Sequence, residues 1–241
     1  MIRILCGKAA DILFPRRCAL CHDIVMPKGG SVCAACNKHI QVITEPRCKK
    51  CGKQIQNPQK EVCVDCARTP KAFTQGIAVF PYNSRMQSSI LYYKEGGRRE
   101  YAEFYVQAAL RYAHETIRRW RPQIVLPVPV HASALRKRGF NPAALLARRM
   151  ASQMQLPYAE NYLCRKATRR QQKSLGRDQR KRNLRKAFCL GKGFQRCERV
   201  LLIDDVYTTG STMEALSRLL KQAGVSEIYF LVLCSGEQGG T

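Results

Sequence analysis

Four Cys-x-x-Cys units constrain this chain more than any other feature. They are "CALC", "CAAC", "CKKC" and "CVDC", and successive units start 15 residues apart. Two cysteines at this spacing present both sulfurs to one ion, and two such pairs complete a closed tetrahedral zinc site. Disulfides would require an exported protein, and a redox pair has no use for four copies. Two structural zinc ions are expected. The consecutive assignment is Cys18, Cys21, Cys33 and Cys36 for one, and Cys48, Cys51, Cys63 and Cys66 for the other. Spacing leaves a cross-braced pairing open. Cys6, Cys164, Cys189, Cys197 and Cys234 fit no ligand spacing and read as small buried hydrophobes.

The second constraint is charge. Lys and Arg number 42 against 17 Asp and Glu, a formal +25 over 241 residues. Eight thiolates and two Zn²⁺ lower this by only four, so the expectation of a polyanionic partner survives, nucleic acid or a highly phosphorylated ligand rather than a merely solvated surface. No apolar run reaches the length of a membrane span. The opening "MIRILCGKAADILFPRRC" places Lys8 and Asp11 where an export signal needs unbroken apolar sequence. It reads as a short amphipathic helix, and a cytoplasmic location is expected.

Beyond the cysteines, "ARTPKAF" (67–73) is a connector, which gives a double zinc ribbon over 14–68 and a second domain over 74–237. The second part alternates apolar strands (76–82, 124–130, 199–204, 227–234) with helices (84–95, 98–120, 141–154, 211–224). Continuous apolar strands separated by helices imply an α/β fold with a parallel sheet, and ligands bind such sheets beyond the carboxyl ends of the strands.

"VLLIDDVYTTGSTM" (200–213) falls at that place. Asp204 and Asp205 are expected at the carboxyl end of a central strand, with Tyr207–Thr212 as the loop into the next helix. Backbone N–H groups at a helix N-terminus bind anions. Thr208, Thr209, Ser211 and Thr212 add hydroxyls, and Gly210 permits a close approach or a positive φ. Paired carboxylates accept hydrogen bonds from vicinal hydroxyls. A phosphate on one side and a diol on the other describe a ribose 5-phosphate.

These residues resemble the phosphoribosyl-pyrophosphate (PRPP) signature of type I phosphoribosyltransferases. Joined to four Cys-x-x-Cys units, they resemble the ComF/GntX family of double-zinc-ribbon proteins, which bacteria need for natural transformation or DNA utilisation. The likeness runs from about 14 to 235 and includes "YYKEGGRRE" (92–100), "LPVPVHASALRKRGFNPAALLA" (126–147), and Gln172, Leu175, Arg180, Asn183 and Phe188 in "QKSLGRDQRKRNLRKAF" (172–188). It implies ribose binding by Asp204 and Asp205 and 5-phosphate binding by residues 208–212. It implies pyrophosphate contacts from Arg136 and Arg138, and a phosphate contact from Lys94. Mg²⁺ would accompany PRPP, bridging pyrophosphate and ribose oxygens. "KRGFN" (137–141) also reads as a tight turn capping the following helix.

Residues 165–186 carry eleven Lys or Arg among 22 positions, with Asp178 the single acid. In the resembled superfamily a loop here closes over PRPP, but eleven cations exceed one pyrophosphate. A nucleic-acid backbone uses them naturally. Arg169, Arg170, Lys173, Arg177, Arg180, Lys181 and Arg185 are the candidate contacts to single-stranded DNA. In the purine-salvage transferases resembled, an acid stands where this chain has Thr208, a hydroxyl unsuited to base catalysis near neutrality. Three functions follow in order: a PRPP-binding handler of single-stranded DNA in DNA uptake, a phosphoribosyltransferase acting on an unidentified acceptor, and a PRPP-sensing adaptor whose ribbons bind a partner protein.

Overall fold

The computed structural model of the chain describes residues 15–25, 29–166 and 186–236. The N-terminal helix expected over the first residues, and all seven candidate DNA contacts from Arg169 to Arg185, lie outside these. Among the described residues, β1 (Gln75–Pro81), β2 (Ile124–Pro127), β5 (Arg199–Tyr207) and β6 (Glu227–Ser235) form one sheet in the order β1-β6-β5-β2. All three pairings are parallel. β3 (Leu163–Arg165) and β4 (Phe188–Leu190) form a separate antiparallel pair. The α/β fold with a parallel sheet expected from the alternating pattern is the fold found.

β5 and β6 are apolar almost throughout because both faces of the sheet are covered. On one face Leu201, Ile203, Leu231 and Leu233 pack with α3 (Ser84–Lys94), α4 (Tyr101–Trp120) and α6 (Pro142–Gln153). On the other, Val200, Leu202, Phe230 and Val232 pack with α7 (Ser211–Gln222). The other α-helices among the described residues are short: α1 (Ala34–Asn37), α2 (Val64–Arg68) and α5 (Ala132–Arg138).

The two cysteine hairpins divide between these faces. Cys18, Ala19, Leu20, Val25 and Cys36 join the core of α3 and α4, where Ser89 donates to the carbonyl of Ala19 and His22 Nδ1 lies 3.0 Å from the Tyr101 hydroxyl. Cys48, Cys51, Ile55 and Cys63 join the core of α7. The chain between them and the second hairpin itself cover the open edge of β1. Ile43 N–H donates to Val79 O at 2.8 Å, and Gly76 N–H to Lys50 O at 2.8 Å. That protects an edge strand from pairing with another chain. Gly52 makes the approach feasible. Its φ is +75°, and a Cβ there would stand 2.6 Å from Ile77 Cα.

Element boundaries differ from expectation for local reasons. β2 stops at Pro127 rather than 130, because Pro127 and Pro129 have no N–H to continue the ladder. α4 begins at Tyr101 rather than 98, after a turn at Gly97 with φ +66°. β5 runs on to Tyr207, so the acids lie inside the strand and not at its final residues. Asn141 caps α6 by accepting from Ala143 N–H at 3.0 Å, with Pro142 at the first helical position. "KRGFN" is therefore the tight capping turn it resembles, with Gly139 at φ +71°.

Candidate functional site

Strand alternation slips at the acids. Leu201 and Ile203 face one core and Val200 and Leu202 the other, yet Val206 rejoins the first and Tyr207 the second. Asp204 and Asp205 sit at this change of phase. Asp205 is buried and ion-paired with Lys94, Nζ to Oδ1 at 2.7 Å. Asp204 accepts the backbone N–H of Asp205 at 2.9 Å. Burial pushes the Asp204 carboxyl up to about 8, and the neighbouring Asp205 charge adds to the rise. Lys94 and Arg165 oppose it, which places the Arg165 guanidinium within electrostatic reach of the acid.

Beyond Tyr207 the loop is three residues long, and Gly210 enters α7 with φ +72°. Ser211, Thr212 and Met213 supply first-turn N–H groups that have no intrahelical carbonyl. The Thr209 and Ser211 hydroxyls are 2.8 Å apart and exposed beside them. Together they form a cup of donors suited to a phosphate. Glu214, the acid of that first turn, is turned away: it accepts Ala72 N–H at 2.9 Å and pairs with Arg218 at 2.6 Å.

Tyr207 fixes the floor of the cup. Its ring stacks on Phe230 at 5.2 Å and 4°, and a Cβ on Gly210 would meet its hydroxyl at 2.1 Å. The buried Lys53 ammonium lies 5.6 Å from the same ring and pairs with Asp65 at 3.3 Å. Burial pushes the Tyr207 phenol up, and the nearby sulfurs of the second cysteine quartet add to the rise. The second ribbon thus packs directly beneath the loop. Sequence reasoning read Tyr207 only as the first residue of the loop and did not reach Lys53, while Arg165 left a signal as the first cation of the basic run.

The other candidate cations separate. Lys94 is at the acids. Arg138 is held by Glu95, with Nε to Oε1 at 2.8 Å, and Lys137 meets the other Glu95 oxygen at 3.0 Å. Lys137, then Arg138, hold the Glu95 carboxyl below its usual range. Two ion pairs therefore leave consecutive residues at the end of α3, Lys94 to Asp205 and Glu95 to Arg138. Arg136 is exposed on α5.

The sulfurs group as two consecutive quartets. Cys18, Cys21, Cys33 and Cys36 form one and Cys48, Cys51, Cys63 and Cys66 the other, each with all sulfurs within 4.8 Å. The Cys21–Cys33 and Cys51–Cys63 separations are 3.7 and 3.6 Å. A tetrahedral Zn²⁺ with Zn–S of about 2.3 Å needs S···S of about 3.8 Å. Backbone N–H groups of Leu20 and Cys33 reach Cys18 Sγ at 3.4 Å, as do those of Cys36 to Cys33 and Cys51 to Cys48. Such donors stabilise thiolate charge. The quartets fit structural zinc, and the consecutive grouping replaces the cross-braced alternative.

Comparison with known proteins agrees with this anatomy. A double zinc ribbon domain model matches residues 9–67, and a phosphoribosyl transferase domain model matches 129–240. Competence protein F of Haemophilus influenzae is 36% identical over 122 residues, which is 50% of this chain and 53%, about half, of that protein. DNA utilization protein YhgH of Salmonella typhimurium is 26% identical over 91% of this chain and 97% of its own length. Competence protein ComFC of Streptococcus pneumoniae is 26% identical over 63% of this chain and 64% of its own. The chain joins a double zinc ribbon domain to a phosphoribosyltransferase domain, and it is a homologue of the proteins named competence protein F, ComFC and YhgH.

Proposed function

We propose that this protein binds PRPP with Mg²⁺ at the carboxyl end of β5 and handles single-stranded DNA in the cytoplasm, in DNA uptake or utilisation. The observation that carries the first half is the juxtaposition of Asp204 and Asp205 with the three-residue loop and the open first turn of α7. Vicinal ribose hydroxyls would donate to the acids, and the 5-phosphate would take the loop donors from Thr208 to Thr212. The all-oxygen acids suit a hard cation such as Mg²⁺, which would neutralise the pyrophosphate. Lys94 would move from Asp205 toward that phosphate charge. The names of the relatives, the +25 charge and the basic run flanked by β3 and β4 support the second half. Phosphoribosyl transfer to an acceptor is the second reading, favoured by the complete set of acids and loop donors.

Two measurements test the halves separately. Isothermal titration with PRPP, with and without Mg²⁺, should show saturable binding strengthened by the metal; absence of heat under both conditions would remove the first half. Single-stranded DNA binding should weaken steeply with salt, with a log–log slope of about −3 to −4 for five phosphate contacts at roughly −0.7 each. Replacing Arg177, Lys181 and Arg185 with Ala should flatten it by up to about two. An unchanged slope would exclude 165–186 as the DNA track.

Glu95 gives a finer test. It holds Arg138 and Lys137 where a pyrophosphate would compete for them. Glu95→Gln should free both cations and remove a charge that repels the ligand. At about 1 kcal/mol for a partly exposed pair, PRPP should bind roughly fivefold tighter. Weaker binding would show that Glu95 orients these cations for the ligand instead.

A further inference from the structure

We infer that the amino end of the sheet, opposite the acids, carries a separate cleft that grips the phosphates of a single-stranded nucleic acid. Arg118 and Arg119 in the last turn of α4, Arg121 just beyond it, and Arg199 at the first position of β5 line a cleft of about 690 Å³. Its apolar wall is Trp120 stacked on Tyr229, with centroids 4.7 Å apart and planes 12° from parallel. Trp120 Nε1 donates to Gln75 Oε1 at 3.0 Å, which ties the helix end to the first residue of β1. Arg199 and Asp204 are five strand residues apart, roughly 17 Å at about 3.3 Å per residue. One ligand group cannot fill both places.

Charge and backbone point to an anion here. No carboxylate among the described residues pairs with Arg118, Arg119 or Arg121. Two acids also line the cleft and Glu198 pairs with Arg199 at 3.3 Å, leaving four Arg against three Glu, with Arg118, Arg119 and Arg121 the cations that no described carboxylate pairs with. Glu227 accepts the Tyr229 hydroxyl at 3.1 Å, and Glu115 lies 3.4 Å from His114 Nδ1. Arg121 ends α4 in the left-handed region with φ +48°, a position glycine takes without cost. Its carbonyl accepts Arg199 Nε at 2.8 Å, so the turn and the fourth guanidinium brace each other. Guanidinium forks bind phosphate oxygens two at a time.

The occupant follows from size and setting. A cleft of this volume admits a nucleotide or two of a strand rather than a paired duplex. Trp120 and Tyr229 are each only 7% exposed, so they form a wall and not a stacking platform. Binding is therefore electrostatic and tolerant of sequence. This deepens the proposed handling of single-stranded DNA and rests on that reading, but places part of it at residues distinct from 165–186 and from the PRPP loop.

Trp120 is the only tryptophan in the chain, so tryptophan emission reports on this cleft alone. The full-length protein is titrated with dT and rU oligonucleotides at several salt concentrations. A saturable emission change with dT is expected. Arg118→Glu/Arg119→Glu should weaken binding at least tenfold and abolish that change. Arg118→Gln/Arg119→Gln, which keeps the side-chain bulk, should flatten the log–log salt slope by about 1.4 for two lost contacts. PRPP binding and zinc content should stay at wild-type levels in both. An equal response to rU supports a phosphate-based grip indifferent to the sugar. DNA binding that leaves emission unmoved, or Gln and Glu variants with wild-type affinity and slope, would overturn the assignment while leaving the Arg177, Lys181, Arg185 test of the other segment intact.

Discussion

Replacing Cys48 and Cys51 together with serine is expected to abolish the cooperative folding of the sheet and not merely of the ribbon that contains them. Cys48, Cys51 and Cys63 are at most 1% exposed and belong to the same core as Phe73, Leu126, Val200, Phe230 and Tyr207. Losing the metal would leave the remaining thiols buried without a charge partner, and free the hairpin that covers β1 through Lys50 and Gly52. Structural zinc supplies on the order of 10–16 kcal/mol in small zinc domains, against about 5–15 kcal/mol of stability for a typical domain. Elemental analysis should return about two zinc ions per wild-type chain. The variant should hold no more than one and show no sigmoidal thermal transition by circular dichroism. A normal transition with one zinc bound would mean that the ribbon is energetically separate from the sheet.

How this core assembles was only partly legible in the sequence. Strands buried on both faces read as unbroken apolar runs, so β1, β5 and β6 could be found within a few residues from local pattern alone. The zinc quartets and the loop at 208–212 were legible for a similar reason, since their chemistry lies in contiguous residues. Contacts between distant segments left no local signal. The pattern gave no hint that the first hairpin packs under α3 and the second under α7. It could not show that Tyr207, which reads as an ordinary loop residue, carries both the second ribbon and the turn at Gly210. The end of β5 was placed early because two consecutive acids look like a strand terminus, whereas pairing with β6 continues to Tyr207 and Ser235. The arginines of the amino-end cleft come together only when α4, β5 and β6 start and stop at the same edge.

The second large effect is at the acids. At pH 9, where both carboxyls are ionised, Asp204→Asn with Asp205→Asn should lower PRPP affinity by more than 100-fold, because each lost charge-assisted hydrogen bond contributes about 1.5–3 kcal/mol. Asp204→Asn on its own should stabilise the fold, whereas Asp205→Asn leaves the Lys94 ammonium without its partner. The Asp204 carboxyl titrates near 8 in the folded chain against an ordinary 3.8, so its stabilising contribution is complete in acid. That contribution falls as pH rises and is gone above about 8. Asp204→Asn alone removes this dependence. It should melt with wild-type protein at pH 4 and several degrees above it at pH 9, at about 2–4 °C per kcal/mol for a chain of this size. Equal melting at both pH values would mean that Asp204 is not held neutral. Such a site spends stability on ligand binding. Isothermal titration of PRPP with Mg²⁺ at pH 9 into wild-type and Asp204→Asn/Asp205→Asn protein, each with its zinc content verified, decides whether these acids hold the ligand. Saturable binding to the first and none detectable to the second, with both zinc ions retained, is the expected result; equal PRPP affinity in the two proteins would rule out PRPP binding at Asp204 and Asp205.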